Sequence, residues 1–334
     1  MAPVNLLLID VGRRVELVRL LRQALDEAGV AGRILGTDVD PLAPALQELD
    51  ERFLVPRVDD PAFVPALIEI CRQHSVAVAF PLIDPAIPVL AGHRPEFEDV
   101  GTRLAVVPPL AAETTHDKWK FHLWLRAQGF ATPETWLPHE VPAHPPFPLF
   151  LKPRFGSAGR QAFRVRDGEE LDFYLRRVDQ PVVQEFVDGP EVTNDVFCGL
   201  DGQVWAVVSR RRIEVRWGEV HKGVTVRVDE LLQACSAMAR RLEAIGPITI
   251  QCLMQDGRPR FTEINARFAG GMPLAVAAGV PAPLWYVQQA AGREVTPPLL
   301  GSYREGVYLT RYDESFFLQG DAYEPLAGRG LRPG

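Results

Sequence analysis

Hydrophobic residues in the first third of the chain follow a pattern that alternates between short apolar runs and helical spacing. Apolar runs at 4–9, 33–38 and 76–80 predict buried strands. Between them, residues 15–28 place leucines on one helical face, and a second helix is predicted near 61–74. This β-α-β succession predicts a parallel sheet covered by helices, as in Rossmann-like folds.

The turn after the first predicted strand argues against a nicotinamide site. Gly12 is its only glycine, so the dinucleotide fingerprint G-x-G-x-x-G is absent. Polar residues at the same turn, and Asp84 after the strand at 76–80, lie where open α/β sheets bind ligands. Arg13 and Glu16 are therefore candidate substrate contacts.

The rest of the chain mixes strands and helices without the regular β-α-β order. The predicted helices are at 113–128, 168–178 and 230–245, and the predicted strands at 149–152, 161–166, 182–187, 192–199 and 204–212. Short turns such as Asp201-Gly202 join successive strands, which is typical of an α+β arrangement.

A turn signal, Asp256-Gly257, lies between two apolar runs and predicts a β-hairpin. If Gln255 pairs with Pro259 across this turn, then Gln251 lies opposite Glu263. The pairing matters because a polar face on such a hairpin can bind a metal ion.

Side chains alternate along a strand, so Glu263, Asn265 and Arg267 share one face, which Gln251 joins from the partner strand. A carboxylate with two amide oxygens suits Mg²⁺, which bridges to phosphates. A solvated polar face of an ordinary hairpin is the alternative. The pair Gly270-Gly271 that follows favours a backbone approaching a ligand.

Composition narrows the class of protein. Hydrophobic residues make up 47% and charged residues 24% of 334 residues, as in globular domains. The net charge of −7 argues against a nucleic-acid partner. The four cysteines show no zinc or redox spacing, and their apolar flanks predict buried free thiols. No signal peptide and no membrane span is predicted, so we expect a cytoplasmic protein.

A lysine followed by a glycine-rich loop lies upstream of the hairpin. Lys152 ends a predicted strand, and the loop at 153–160 contains Gly156, Ser157 and Gly159. Glycines let backbone amides approach phosphates, and a lysine supplies a point charge. Walker A spacing is absent and a strand follows, so the loop is predicted to be a flap over phosphates. An ordinary hairpin loop is the alternative.

Two further segments add to this picture. Lys118 lies in a predicted helix, where a solvated position is the alternative. The strand at 184–187 runs into Asp188-Gly189. Its backbone could bind an adenine edge, and Glu191 could accept a hydrogen bond from a ribose hydroxyl.

The order and spacing of these segments resemble the ATP-grasp superfamily, and within it the carbamoyl-phosphate-synthase-like branch with biotin carboxylase and purine-pathway ligases. The matching motifs are Asp117-Lys118, Lys152-Pro153 with 156–159, 184–191, and Gln251 with 263–267. The resemblance covers residues 4–295 and implies an α/β and α+β fold. Its expected domains are a Rossmann-like pre-ATP-grasp domain at 1–112, an ATP-grasp N-lobe with the flap at 113–190, and a C-lobe with the metal hairpin and C-terminal tail at 191–334.

The resemblance also implies roles for individual residues. Those expected to bind ATP are Lys118, Lys152, Ser157, Ala158, Gly159, Glu185, Phe186, Val187 and Glu191. Those expected to bind Mg²⁺ (or Mn²⁺) are Gln251, Glu263 and Asn265. The expected catalytic residues are Arg267, Asn265, Lys152 and Arg210. Arg267 lies where the family stabilises an acyl phosphate or its carboxylate precursor.

The implied activity is ATP-dependent ligation. A small-molecule carboxylate attacks the γ-phosphate to give an acyl phosphate, and an amine then displaces phosphate. The alternatives are a subunit that phosphorylates bicarbonate or carbamate, and an ATP-binding regulatory protein without turnover. The single ATP-grasp unit and the lack of an M-K-M carrier motif argue against a complete carbamoyl-phosphate synthase or a self-contained biotin carboxylase. Homodimers are common in the family.

A cationic strip at 208–226 matches no motif of this set. Arg210, Arg212, Arg216 and Lys222 could line a carboxylate pocket. A charged, solvated strand edge explains them equally well.

Overall fold

Three β-sheets organise residues 3–156 and 159–319, the part of the chain that this computed structural model describes. The first sheet is parallel, and its strands are β1 (Asn5–Ile9), β2 (Ile34–Asp38), β3 (Glu51–Leu54), β4 (Val76–Pro81) and β5 (Arg103–Leu104). They lie in the order β3-β2-β1-β4-β5. The connecting helices are α1 (Val15–Ala28), α2 (Phe63–Gln73), α3 (Ala86–Gly92) and α4 (Arg94–Asp99). The predicted Rossmann-like region is therefore confirmed.

Local sequence explains the first unit of this sheet. All five residues of β1 are buried, as expected for a strand with helices on both faces. Helix α1 buries the leucine face that its spacing predicts. It ends at Gly29, whose φ of 58° lets its amide donate back to the last turn.

The second sheet forms a small lobe with a hydrophobic core of its own. Its antiparallel strands are β6 (Thr135–Trp136), β7 (Leu149–Pro153), β8 (Phe163–Val165) and β9 (Pro181–Glu185), in the order β6-β9-β7-β8. The helices before and within it are α5 (Pro109–His116), α6 (Lys118–Ala127) and α7 (Gly168–Leu175). The core is formed by Leu149, Leu151, Val165, Leu171, Val178 and Val183.

The third sheet is antiparallel and shares its core with the first. Its strands are β10 (Glu191–Cys198), β11 (Val204–Arg216), β12 (Glu219–Thr225), β13 (Pro247–Gln255), β14 (Arg258–Asn265) and β15 (Tyr308–Thr310). Their order is β14-β13-β10-β11-β12-β15, and the accompanying helices are α8 (Asp229–Arg241), α9 (Pro273–Ala277) and α10 (Ala282–Ala290). Phe80 of the first sheet packs on Phe268 and Tyr286 at 5.3 Å between ring centroids. The two regions are thereby joined by continuous apolar packing.

The prediction of one continuous helix at 113–128 is wrong, because the helix is interrupted at Asp117, between α5 and α6. Asp117 is extended, with φ −103° and ψ 109°, and its carboxylate caps α6 by accepting from the Trp119 and Lys120 amides. The same carboxylate accepts two hydrogen bonds from Arg154, at 2.7 and 2.6 Å. Capping and a bidentate ion pair outweigh helix continuity here. Lys118 consequently begins a helix instead of lying within one.

The turn of the predicted metal hairpin is one residue tighter than expected. Gln255 pairs with Arg258, where the sequence predicted Pro259. Asp256 and Gly257 have φ values of 50° and 79°, which is the geometry of a two-residue type I′ turn. The predicted alignment at the turn was therefore wrong.

Three other expectations meet the structure at this level. The strand predicted to reach residue 187 ends at Glu185, so Phe186 and Val187 follow β9. The four cysteines are buried free thiols, as predicted. None of the helices in 3–156 and 159–319 is long and apolar enough to cross a bilayer. The domain boundaries at 112 and 190 stay predictions.

Candidate active site

A cavity of about 620 Å³ is lined by the small lobe on one side and the third sheet on the other. The small lobe contributes residues of β7 and the segment after β9, while the third sheet contributes one face of its central strands. The N-terminal region adds Arg14. One concave site thus collects polar side chains from all three parts of the chain.

The register of the third sheet sets two rows of side chains across that face. Because side chains alternate along each strand, residues paired across neighbouring strands stand side by side. One row is Arg210, Thr193, Gln251 and Glu263. The next row on the same face contains Asp195, Thr249 and Asn265. The predicted grouping of Gln251, Glu263 and Asn265 is thus present, and their role stays a prediction.

A β-bulge in β14 brings Gln251 and Glu263 opposite each other in spite of the tighter turn. Cys252 pairs with Phe261, whereas the neighbouring Gln251 pairs with Glu263, so Thr262 is an extra residue on its strand. The extra residue cancels the one-residue error at the turn. Bulges commonly redirect side chains beside functional sites.

Two lysines face this row from the other side of the cavity. Lys152 is 7% exposed, and its ammonium lies 3.5 Å from the Thr262 carbonyl oxygen. Burial lowers the pKa of Lys152 to about 8, although the nearby Glu263 acts in the opposite direction. Lys118 donates to the Gly156 carbonyl at 2.7 Å. Within the described ranges neither lysine forms an ion pair, so both charges can meet an incoming anion.

The glycine-rich loop lies between β7 and β8, as predicted. Gly156 and Gly159 line the cavity and have φ values of 104° and 65°, which side chains rarely adopt. Ser157 and Ala158, which the sequence assigns to phosphate binding, lie outside the described residues. The geometry therefore supports a backbone that approaches a ligand at Gly156 and Gly159.

The segment after β9 forms the wall assigned to adenine. Glu185, Phe186 and Val187 line the cavity. The Glu185 amide donates to the Glu134 carbonyl at 2.8 Å, so this amide is already occupied within the protein. The Phe186 ring lies beneath the Arg164 guanidinium at 4.3 Å, which fixes it as part of the wall.

The predicted metal residues have donor atoms that fit Mg²⁺. The Gln251 amide nitrogen donates to Glu191 at 2.9 Å, which leaves its oxygen for another partner. Glu191 also accepts from Arg212 at 2.6 Å. No three His, Cys, Asp or Glu side chains in 3–156 and 159–319 cluster as metal ligands. Glu263 is the one carboxylate among the three predicted metal residues, so phosphate oxygens would complete the coordination of a hard cation.

Arginines of the same cavity are held by carboxylates. Arg267 pairs with Asp84 at 2.6 Å and donates to the Phe268 carbonyl at 3.1 Å. Arg210 pairs with Asp195 at 2.9 Å, with both side chains buried. Such pairs fix each guanidinium in place, because a buried charge without its partner is costly. Sequence reasoning named Asp84 without its pairing to Arg267, and it missed Asp195.

Arg14, which the sequence did not single out, reaches the cavity in place of Arg13. Arg14 pairs with Glu219 at 2.7 Å, and burial lowers the pKa of Arg14 to about 10. A Cβ at Gly270 would clash with both side chains, so the glycine makes room for the pair. Arg13 instead stacks on the exposed Trp217, 4.9 Å from its ring centroid.

The basic strip divides between the cavity and the surface. Arg210 and Arg212 line the cavity. Arg216 and Lys222 each pair with Glu214 at 2.8 Å, and all three belong to the outer part of the hairpin formed by β11 and β12. The outer part of the strip is thus a charged strand edge, while a carboxylate-binding role for Arg210 and Arg212 stays a prediction.

Two family models match separate parts of the chain. Residues 6–105 match the PylC-like, N-terminal domain. Residues 177–307 match the ATP-grasp domain described as occurring in the biosynthetic pathway with Ter operon.

Curated relatives include carbamoyl phosphate synthase large chains. That of Neisseria meningitidis serogroup B is 28% identical over 152 residues, which are 40% of this chain and 14% of the relative. That of Thermomicrobium roseum is 25% identical over 288 residues, 78% of this chain and 26% of the relative. The chain therefore spans roughly a quarter or less of the length of these relatives.

Solved structures share the fold at low identity. The biotin carboxylase domain dimer of Hydrogenobacter thermophilus 2-oxoglutarate carboxylase, with MgADP, ADP and bicarbonate, aligns with a TM-score of 0.71 at 16% identity over 92% of this chain and 74% of that one. N5-carboxyaminoimidazole synthetase of Staphylococcus aureus with ADP aligns with a TM-score of 0.69 at 15% identity, over 88% of this chain and 79% of that one. L-amino acid ligase of Bacillus licheniformis aligns with a TM-score of 0.66 at 18% identity, over 87% of this chain and 74% of that one. The predicted fold class is confirmed.

Proposed function

Because the chain belongs to the ATP-grasp superfamily, we propose that it is an ATP-dependent ligase that activates a carboxylate as an acyl phosphate and joins it to an amine. The observation that carries this proposal is the content of one cavity. Lysines without ion-pair partners in the described residues face a row of carboxylate and amide oxygens, and fixed arginines lie beyond them.

ATP would lie with its triphosphate between the two lysines and the Gln251–Glu263 row. Lys118 and Lys152 supply cationic donors to phosphate oxygens. Glu263, Gln251 and Asn265 would hold Mg²⁺, which neutralises charge on the phosphates when bound. The residues after β9 would enclose the adenine, and Glu191 would reach the ribose.

The carboxylate substrate would bind beyond the γ-phosphate, near Arg267 and Arg210. Their guanidinium groups are already oriented by Asp84 and Asp195, so they need little rearrangement as charge develops. A carboxylate oxygen attacks phosphorus, and ADP leaves with the bridging oxygen. Thr193 lines this region with a buried hydroxyl that has no partner in the described residues, and it would contact the substrate.

In the second half-reaction, an amine would attack the acyl carbon and displace inorganic phosphate. The glycine-rich loop would cover the intermediate, which keeps water from hydrolysing it. The solved biotin carboxylase domain is a dimer. We extend homodimerisation to this chain as part of the proposal, and a monomeric mass in light scattering would contradict it.

An ADP-release screen tests the proposed function. Carboxylates are paired with amines, and each component is omitted in turn, with Glu263→Gln protein as the blank. The proposal requires ADP release that depends on a carboxylate, an amine and ATP together. Release with bicarbonate alone would support the carboxylating alternative. An ATP-dependent rise in melting temperature without ADP release from any pair would support a regulatory protein.

A further inference from the structure

The segment at 308–314, for which the sequence offered no role, runs along the edge of the third sheet behind the cavity. Its strand β15 pairs with β12, with Thr310 opposite Lys222 and Leu309 opposite Gly223. The following Arg311 amide donates to the His221 carbonyl at 3.1 Å. The backbone of the segment is therefore fixed on the strand that carries Glu219.

The Arg311 guanidinium joins three separate parts of the chain. It lies 3.2 Å from Glu219 and 2.9 Å from Glu16 of helix α1, and it donates to the Gly270 carbonyl oxygen. The side chain is 20% exposed. A planar guanidinium suits this position because its donors point in fixed directions toward several acceptors.

Arg311 does not line the large cavity itself; it contacts Glu219, which does. One Glu219 oxygen binds Arg311, and the other binds Arg14 at 2.7 Å. Arg14, Glu219 and Gly270 line the 620 Å³ cavity, while Arg311 lines a smaller cavity of 230 Å³ behind them. Glu219 is thus divided between a guanidinium that faces the cavity and one that does not.

Charge gives this division a consequence. Burial opposes ionisation of Glu219, but Arg14, Arg311 and Arg267 outweigh it and hold the pKa of Glu219 below its ordinary value. Glu219 is thus ionised and held from two sides, by Arg14 in the cavity and by Arg311, which Glu16 also binds. Without Arg311, Glu219 would keep its pair with Arg14 but lose the contact that ties it to Glu16 of helix α1 and to the Gly270 carbonyl, which frees the Arg14–Glu219 pair to move.

We infer that Arg311 is a positioning residue that holds Glu219 between two arginines and so keeps Arg14 fixed in the cavity. The inference rests on the proposed function for its effect on catalysis. Its structural content, the placement of Arg14, holds independently of any substrate.

Crystal structures of the wild-type and Arg311→Ala proteins test the structural content. Arg14 should leave its wild-type position, or lose defined density, while the Asp84–Arg267 pair stays in place. An unmoved Arg14 guanidinium would overturn the inference. If Arg311→Ala fails to fold, Arg311→Gln, which keeps hydrogen-bonding capacity without charge, replaces it in the same measurement.

Steady-state ADP release tests the effect on catalysis. Arg311→Ala should raise the KM of the carboxylate substrate about tenfold while the KM for ATP changes by less than about twofold. Arg311→Lys restores a charge beside Glu219 and should recover most of the loss. Arg19→Ala is the matched control, because Arg19 pairs with Glu314 of the same segment at 2.8 Å but does not contact Glu219.

The outcomes separate the two claims. A displaced Arg14 in a protein that releases no ADP with any substrate leaves the positioning role intact and overturns the proposed function. A tenfold KM effect that Arg19→Ala reproduces would show that the segment matters only for stability, and would overturn the specific role of Arg311.

Discussion

The two ends of the cavity treat their cations differently. At the end assigned to phosphates, Lys118 and Lys152 donate to backbone carbonyls, and no carboxylate in the described residues pairs with them. The cavity arginines outside the small lobe instead each have a carboxylate partner. These pairs are Arg14–Glu219, Arg210–Asp195, Arg212–Glu191 and Arg267–Asp84.

The proposed function would account for the difference. A triphosphate brings its own negative charge and leaves as ADP, so it needs cations that are free to receive it. A reacting carboxylate needs guanidinium groups in defined orientations, which ion pairs supply in advance. The cost at the lysine end is desolvation, which appears as the lowered pKa of Lys152.

The most damaging change should be Glu263→Gln, which removes the only carboxylate of the predicted metal set. We expect kcat for ADP release to fall by about a thousandfold or more, because charge on the transferring phosphoryl group is no longer balanced. Calorimetric melting should show an intact fold. Arg258→Ala, on an exposed position of the same hairpin, is the control; undiminished turnover of Glu263→Gln would rule out the metal assignment.

Lys152→Met should weaken ATP binding through the phosphates alone. Methionine fills a similar volume without charge, so ATP affinity should fall about 30-fold, the equivalent of one charge-assisted hydrogen bond. Titration calorimetry with ATP measures this. Lys120→Met is the control, since Lys120 pairs with Glu113 at 3.0 Å and does not line the cavity. Equal ATP affinity in Lys152→Met and wild type would refute the phosphate role.

Asp84→Asn should impair use of the carboxylate substrate and leave ATP binding nearly unchanged. Arg267 keeps its place but loses the charge that orients it, so kcat/KM for the carboxylate should fall about tenfold. ATP affinity should change by less than about twofold, since Asp84 forms its ion pair with Arg267 and none with Lys118 or Lys152 in the described residues. The exposed Asp99→Asn variant in the same region is the control. A loss of ATP affinity in Asp84→Asn would break the division between the two ends.

The smallest effect should come from pH. With the pKa of Lys152 at about 8, its charged fraction falls as pH rises from 7 to 8.5, so ATP affinity should weaken about fourfold. The same lowered pKa means that the nucleotide-free folded state binds fewer protons than the unfolded state above about pH 8. Its free energy of unfolding should therefore rise with pH toward the ordinary lysine pKa. Lys152→Met should flatten both responses, and an affinity that titrates identically in wild type and variant would exclude Lys152 as the cause.

Much of this architecture follows from local sequence. Helix α1 and the neighbouring strands have apolar spacings that hardly depend on distant residues, and their positions were predicted closely. The face shared by Glu263 and Asn265 follows from the alternation of a strand. The Gln251–Glu263 pairing was predicted for a wrong reason, since a bulge at Thr262 offsets the tighter turn.

The remainder depends on contacts that no local pattern encodes. The break at Asp117 reflects a partner, Arg154, that is 37 positions away. Asp84 meets Arg267 across 183 positions, and Glu16 meets Arg311 across 295. Arg13 and Arg14 are neighbours of the same type in one turn, yet Arg14 lines the cavity while Arg13 lies over Trp217. Sequence therefore indicated the residues of the phosphate end better than the paired charges of the substrate end.

Transfer of oxygen from the carboxylate to phosphate tests the central claim most directly. Wild-type protein is incubated with ATP, an amine and a carboxylate labelled with ¹⁸O in both oxygens, and the released phosphate is analysed by mass spectrometry. Attack of the carboxylate on the γ-phosphate predicts one ¹⁸O atom in each phosphate formed. Unlabelled phosphate released together with ADP would contradict an acyl-phosphate intermediate, and with it the proposed ligase.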